Sequence, residues 1–288
     1  MRSRLPDWLT FRRFAAFTTA LTLTLMMLGV YTAATGSGLA CSAQWPLCDN
    51  GLLPQSIPSF IEWFHRLVAM VTGFFIVGTA GWAWRRDDRR VRVASTAALV
   101  LLPLQVGIGA VTVTLNGMLP TGYSVPTHGA HLFTALSIFG SLTLATLWAS
   151  DGSYARPPRE RIRSALLGAL GVLALSALLS RVTFVLSYTP AAQAAFVGVT
   201  LALAATLLAA TLWLARSEGP AVAALPGGAL ALTVLVLALG RDLVLYSPTI
   251  RLFNGLAFLL AAALVAVAAW VVSRREESAR RPGRTSGA

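Results

Sequence analysis

Charge is scarce in this chain. Only 12% of its 288 residues are charged, lysine is absent so that all 23 basic residues are arginine, and the acids number 11. So little polar surface cannot coat a soluble globule of this length. With 56% hydrophobic residues and a mean hydropathy of +0.70, the composition is that of an integral membrane protein. Cysteine occurs twice, at Cys41 and Cys48, and their loop holds no histidine. That excludes the four-ligand Cys/His sites of structural zinc. Histidine occurs three times, at His65, His128 and His131, and never beyond residue 131.

The abundant feature is the long apolar run. A membrane-spanning helix needs about 20 predominantly apolar residues. Runs of that size near 14–34, 61–84, 93–115, 126–149, 165–187, 191–215, 226–247 and 250–273 predict eight spans. The arginines sort into alternate connections. Arg2, Arg4, Arg12 and Arg13 precede the first run, and Arg85, Arg86, Arg89, Arg90 and Arg92 follow the second. Arg156, Arg159, Arg161 and Arg163 follow the fourth, Arg216 follows the sixth, and Arg274, Arg275, Arg280, Arg281 and Arg284 close the chain. The positive-inside rule makes these faces cytoplasmic and both termini internal. The net charge of +12 then reflects topology and contact with anionic lipid, not nucleic-acid binding. The first run ends at Ala33-Ala34 in the manner of a secretory signal, but it exceeds the usual apolar core of about 7–15 residues and is read as a retained helix.

This topology puts loop 35–60 and the short connections near 116–125, 188–190 and 247–249 on the outer face. Cys41 and Cys48 are therefore in an oxidising compartment, as a structural staple or as a redox-active pair. His65 lies about one turn into the second run, His128 and His131 open the fourth, and both runs enter from outside. At about 1.5 Å per residue the histidines reach similar depth. Two imidazoles at one depth on two helices can clasp a heme iron between them. Glu62, three residues before His65, shares its helix face. It serves either as a catalytic acid or as an interfacial partner of Arg66. Only Glu62 and Asp242 among the acids fall in or beside a span away from the cytoplasmic face, and that scarcity favours a functional role.

Together these residues resemble a known family. The run Thr35-Gly36-Ser37-Gly38 with Cys41 and Trp45-Pro46-Leu47-Cys48, the Glu62-x-x-His65-Arg66 element, the run Leu104-Gln105-Val106-Gly107-Ile108-Gly109-Ala110 and His131-Leu132 are similar to the N-terminal half of heme A synthase. The likeness covers about residues 15–150. It implies an all-α polytopic protein of eight transmembrane helices in two four-helix bundles, a heme and substrate half over 1–150 and a second half over 151–288. The implied activity is oxidation of heme O to heme A, the C8 methyl group becoming a formyl group through successive hydroxylations. The implied roles are His65 and His131 as axial ligands, Arg66 and His128 beside the heme, Glu62 as catalytic acid and Cys41–Cys48 as a disulfide. The implied cofactor is one heme, of b or O/A type. Heme O as substrate, a heme O synthase and a membrane electron donor are the implied partners, in a bacterial or archaeal cell membrane, with homo-oligomerisation left open.

The second half departs from that pattern. Family members carry a further histidine pair there, whereas residues 151–288 contain neither histidine nor cysteine, and Asn254 stands in or near the ligand slot. A bis-histidine heme in this half is excluded. It is read as a degenerate repeat serving as scaffold, joined through the basic linker 150–164 and ending in a solvated tail at 274–288. Arg181, Arg241 and Arg251, near the outer ends of spans, are candidates to meet heme propionates or lipid phosphates, and lipid contact is the favoured reading. The alternative function is a noncatalytic membrane heme-binding or electron-transfer protein of the same fold.

Overall fold

The computed structural model describes residues 6, 8–41, 44, 47–118, 124–150, 159–240 and 246–279, with the side chains of 115–117 excepted. The Trp45-Pro46 pair, the connection 119–123, most of the linker including Arg156, Arg241 with Asp242, Arg2, Arg4 and the tail from residue 280 lie outside the described residues. Among those described, the helices are α1 Phe11–Ala34, α2 Ile57–Ala83, α3 Arg89–Met118, α4 Val125–Ala149, α5 Arg159–Leu179, α6 Pro190–Ser217, α7 Pro220–Leu239 and α8 Pro248–Ala279. All eight are long and apolar enough to cross a membrane. The chain is an all-α, multi-pass membrane protein.

Local chemistry sets the helix ends. The Thr10 hydroxyl accepts from the Arg13 backbone N–H to open α1, and Ser56 accepts from the Ser59 N–H to open α2, each satisfying a donor that the first turn leaves orphaned. The Ser56 cap moves the start of α2 out to Ile57, so His65 lies two turns in, not one. Prolines open α6, α7 and α8, where a missing N–H costs nothing. The fifth run was expected to continue to 187 but α5 stops at Leu179. Beyond it the Ser180 hydroxyl accepts from the Val182 N–H and the Thr183 hydroxyl donates to the Leu178 carbonyl. Side chains thus take the backbone groups that another helical turn would need. Likewise α7 closes on Gly240 rather than reaching 247.

The chain forms two compact units, one of residues 1–153 with 188–198, the other of 154–187 with 199–288. In the first, α1 packs on α2 and α4, and α3 packs on the same two helices. The four therefore close a ring in which α2 and α4 occupy opposite corners. Threonines join its helices, Thr18 to Thr79 at 3.0 Å and Thr19 to Thr146 at 3.1 Å, hydroxyl contacts of the kind that hold helices together where water is excluded. At the arginine-rich end Phe11, Ala15, Ala83 and Val91 form a buried cluster under Trp82 and Trp148. Deeper in the ring, Ile76, Ala98, Ile138 and Leu142 form another.

In the second unit α8 packs on α5 and α7, and Ser176 of α5 bonds Thr200 of α6 at 2.6 Å. Its arginine-rich end is closed by a clasp. Glu218, whose side chain is 2% exposed, accepts from Arg159 at 2.7 Å and from Arg275 at 2.6 Å. Burial raises its carboxyl pKa, but the two guanidinium groups outweigh that and hold it below its ordinary value.

Candidate functional site

The outer loop is sewn to the start of α2. Cys41 and Cys48 form a disulfide with Cα atoms 4.8 Å apart, and both are buried. Between Cys48 and Gly51, which exchange backbone hydrogen bonds, Asp49 and Asn50 take φ of 54° and 60°. Two consecutive left-handed residues make the two-residue hairpin turn in which Asp and Asn are tolerated. The turn aims the Asp49 carboxylate at α2. It accepts from the Gln55 N–H at 2.8 Å and from the Ser59 hydroxyl at 2.9 Å, and these bonds hold its pKa below the ordinary value.

Glu62 is the second seam. Its side chain is 3% exposed. One carboxylate oxygen accepts from the Cys41 backbone N–H at 2.6 Å, and the other meets the Arg66 guanidinium. Arg66 in turn donates to the Gln44 carbonyl at 2.6 Å, and the Gln44 side chain bonds Asn50 at 2.9 and 3.0 Å. The acid and arginine singled out in the sequence are thus a pair, and they tether the disulfide loop to the helix that carries His65.

His65 lies eight residues after Ile57 on α2 and His131 six after Val125 on α4, about 12 and 9 Å of helical rise from the two helix starts. The two helices are opposite corners of the four-helix ring. Each ring leans on a glycine of the helix preceding its own. The Cε1 of His65 is 3.1 Å from where a Cβ on Gly29 of α1 would stand, and the Cε1 of His131 is 3.2 Å from the corresponding point on Gly109 of α3. The Gln105 amide nitrogen lies 3.3 Å from His131 Nε2, and its buried carbonyl oxygen has no partner. Nδ1 of His65 is likewise buried without one. The His128 Nδ1 bonds the Ser124 carbonyl at 2.9 Å.

Sequence reasoning singled out both imidazoles, picked up Gln105 and Gly109 only as members of the third-run motif and not as supports of His131, and missed Gly29. Gln105 carried a usable signal, an uncharged polar side chain inside an apolar run. Gly29 carried none, because its partner is set by helix packing. Among the described residues no group of three or more His, Cys, Asp or Glu gathers as a metal cage. What the ring brings in from α2 and α4 is two imidazoles, nitrogen donors of a kind that binds metals.

In the second unit, Arg181 sits over the Tyr246 ring at 5.2 Å. Arg251 sits over Phe184 at 3.4 Å while its Nε donates to the Val182 carbonyl at 3.1 Å. Both arginines expected to face lipid thus make contacts within the protein. Asn254, in the slot where the family pattern expects a histidine, is buried.

Comparison with known proteins bears on residues 12–183, which match a family model described as cytochrome oxidase assembly protein, COX15-CtaA. A protoheme IX farnesyltransferase of Halobacterium salinarum is 41% identical over 129 residues, 44% of this chain and 28% of that protein. A heme A synthase of Bacillus licheniformis is 32% identical over 133 residues, 45% of this chain and 42% of that protein. A heme A synthase of Alkalihalophilus pseudofirmus is 31% identical over 144 residues, 48% of this chain and 46% of that protein. The chain therefore spans less than half the length of each of these relatives.

Proposed function

The chain belongs to the COX15-CtaA family of cytochrome oxidase assembly proteins, and from that premise we propose that it is a heme A synthase-type oxidoreductase converting heme O to heme A. The observation that carries this reading is the pair of imidazoles, His65 and His131, on diagonal helices of the ring, with the buried carboxylate of Glu62 one turn from His65. The fit to a heme rests on three features. The His65 Nδ1 is buried without a hydrogen-bond partner, both rings are seated on glycine, and the donor set is nitrogen on both sides.

His65 and His131 would hold the iron, with Arg66 and His128 contributing to the heme pocket, and the bound heme would supply the redox centre for oxidation of the C8 methyl group to a formyl group. The rest falls to the chain's own side chains. Glu62 serves as the catalytic acid, its carboxyl group aimed by Arg66 and the Cys41 N–H. The disulfide loop covers the outer end of the site. Gln105 fixes the His131 ring through its nitrogen, the outer-shell support that metal-binding imidazoles require. Residues 1–150 form the heme and substrate half, with a single bis-histidine site, and residues 151–288 are a degenerate repeat serving as scaffold.

Heme O is the substrate. Each successive hydroxylation would take one oxygen atom from dioxygen, with two electrons from a membrane donor and two protons reducing the other atom to water. The twice-hydroxylated carbon would lose water to leave the formyl group. The Halobacterium farnesyltransferase joins a stretch like this one to a much longer remainder, which supports a heme O synthase as working partner. The setting is a bacterial or archaeal cell membrane with both termini inside. A second reading, a noncatalytic heme-binding or electron-transfer protein, is favoured by one observation, that both Glu62 oxygens are already engaged.

Coexpression with a heme O source followed by heme extraction separates the two readings. The enzyme yields heme A, and Glu62→Gln lowers that yield by about 10²–10⁴-fold, the range of a general acid or base, while heme is retained. Heme-loaded protein that forms no heme A refutes the enzyme reading. An unchanged yield in Glu62→Gln reduces Glu62 to a loop anchor.

A further inference from the structure

Where the arginine-rich ends of α2 and α3 meet, Trp84, Arg89, Arg92, Val93 and Thr96 line an open groove of about 440 Å³. One wall is fixed, because the Trp84 indole N–H donates to the Thr96 hydroxyl at 3.1 Å. The floor is basic. Residues 85–92 hold five arginines against two aspartates, and Asp88 is committed to Arg90, accepting its backbone N–H at 2.9 Å and lying 3.4 Å from its guanidinium. Arg92 reaches the Arg86 carbonyl at 3.4 Å. Arg89 makes no ion pair or hydrogen bond among the described residues, so its charge is available to a ligand.

The groove opens onto an apolar strip. On α3, Val93, Val100 and Leu104 are 59%, 65% and 51% exposed, and on α2 Phe74 and Val77 are 69% and 50% exposed. A cationic recess with an indole wall, continuous with bare hydrocarbon-facing surface, has the outline of a phospholipid. From this we infer that the groove binds the phosphodiester head group of an anionic phospholipid, with an acyl chain laid along the α2–α3 strip. A zwitterionic choline head brings a cation toward Arg89 and Arg92 and is disfavoured. Inorganic phosphate lacks the chain that would use the strip. The occupant belongs to the arginine-rich side of the membrane, where basic recesses between helices meet acidic head groups.

The test uses the full-length protein in neutral detergent, titrated with brominated phosphatidylglycerol. The Trp84 signal is read as the difference in fluorescence quenching between wild type and Trp84→Phe. Saturable quenching of Trp84 is expected, and Arg89→Gln should raise the half-saturation point about fivefold, the effect of one arginine at a charged surface. Arg89→Lys should stay close to wild type. Native mass spectrometry should count one phosphatidylglycerol fewer retained by Arg89→Gln, a readout independent of Trp84. Equal titration by brominated phosphatidylcholine, or an Arg89→Gln curve that overlays wild type, overturns the proposal. Displacement of the lipid by inorganic phosphate at matching concentration would make this a phosphate site instead.

Discussion

Replacing Gly29 by alanine tests whether the imidazoles are aimed by the helices behind them. The new methyl would stand 3.1 Å from Cε1 of His65, where ordinary contact begins at 3.4 Å, so the ring must move by about 0.3 Å or the helices must part. At Gly109 the corresponding distance to His131 is 3.2 Å and the shortfall about 0.2 Å. Overpacking a filled site costs about 1–3 kcal/mol, and losing the orientation of a metal-binding histidine costs about 10–100-fold in affinity or activity. Gly29→Ala should therefore lower heme retention by at least about tenfold and alter the low-spin spectrum, with Gly109→Ala milder. Gly107 supplies the control. It belongs to the same helix as Gly109, yet a methyl there meets nothing within 4 Å, and alanine in place of glycine favours a helix by about 1 kcal/mol. Heme content by pyridine hemochrome and the low-spin absorbance of the three purified variants are the measurements. If Gly29→Ala and Gly107→Ala both keep full heme and the wild-type spectrum, the glycine seats do not aim the rings.

Two further outcomes are expected. Cys41 and Cys48 should resist alkylation until a reductant is added, and Cys41→Ser should expose Cys48 to labelling; thiols that react in the untreated protein would contradict the bridge. Glu218→Gln should destabilise the second unit by about 1–3 kcal/mol through loss of charged hydrogen bonds, seen as a lower melting temperature in detergent. Because the Glu218 pKa is depressed on folding, its contribution is present above the unfolded carboxyl range and is lost as pH falls through the lower folded value. The melting temperature of wild type should approach that of Glu218→Gln only under acid conditions, and a gap that persists at full protonation would refute the clasp.

The sequence carried the parts of this fold that depend on composition and spacing. Eight apolar runs became eight helices because a lipid-embedded backbone must satisfy its hydrogen bonds within each segment. The cysteine pair, Glu62, His65 and His131 stood out because polar side chains are rare in this chain and costly in a membrane. The ends of α5 and α7 were misplaced for a local reason. Hydrophobicity runs on through Val182 and Val244, while Ser180 and Thr183 take up backbone groups at the end of α5 and α7 closes on Gly240. The seats under the imidazoles and the Arg159–Glu218–Arg275 clasp could not be read at all. Each joins residues from different helices, and one sequence does not state which helix faces which.

The opposite-corner placement of His65 and His131 bears on the order in which the molecule is made. A chain that has emerged only through α3 presents one imidazole of the pair, resting on Gly29, with the Gly109 seat still empty. The second imidazole arrives with α4, the element that also closes the ring against α1. Ring closure and completion of the imidazole pair are thus one event in the life of the nascent chain, and on the proposed function no earlier intermediate presents both nitrogen donors.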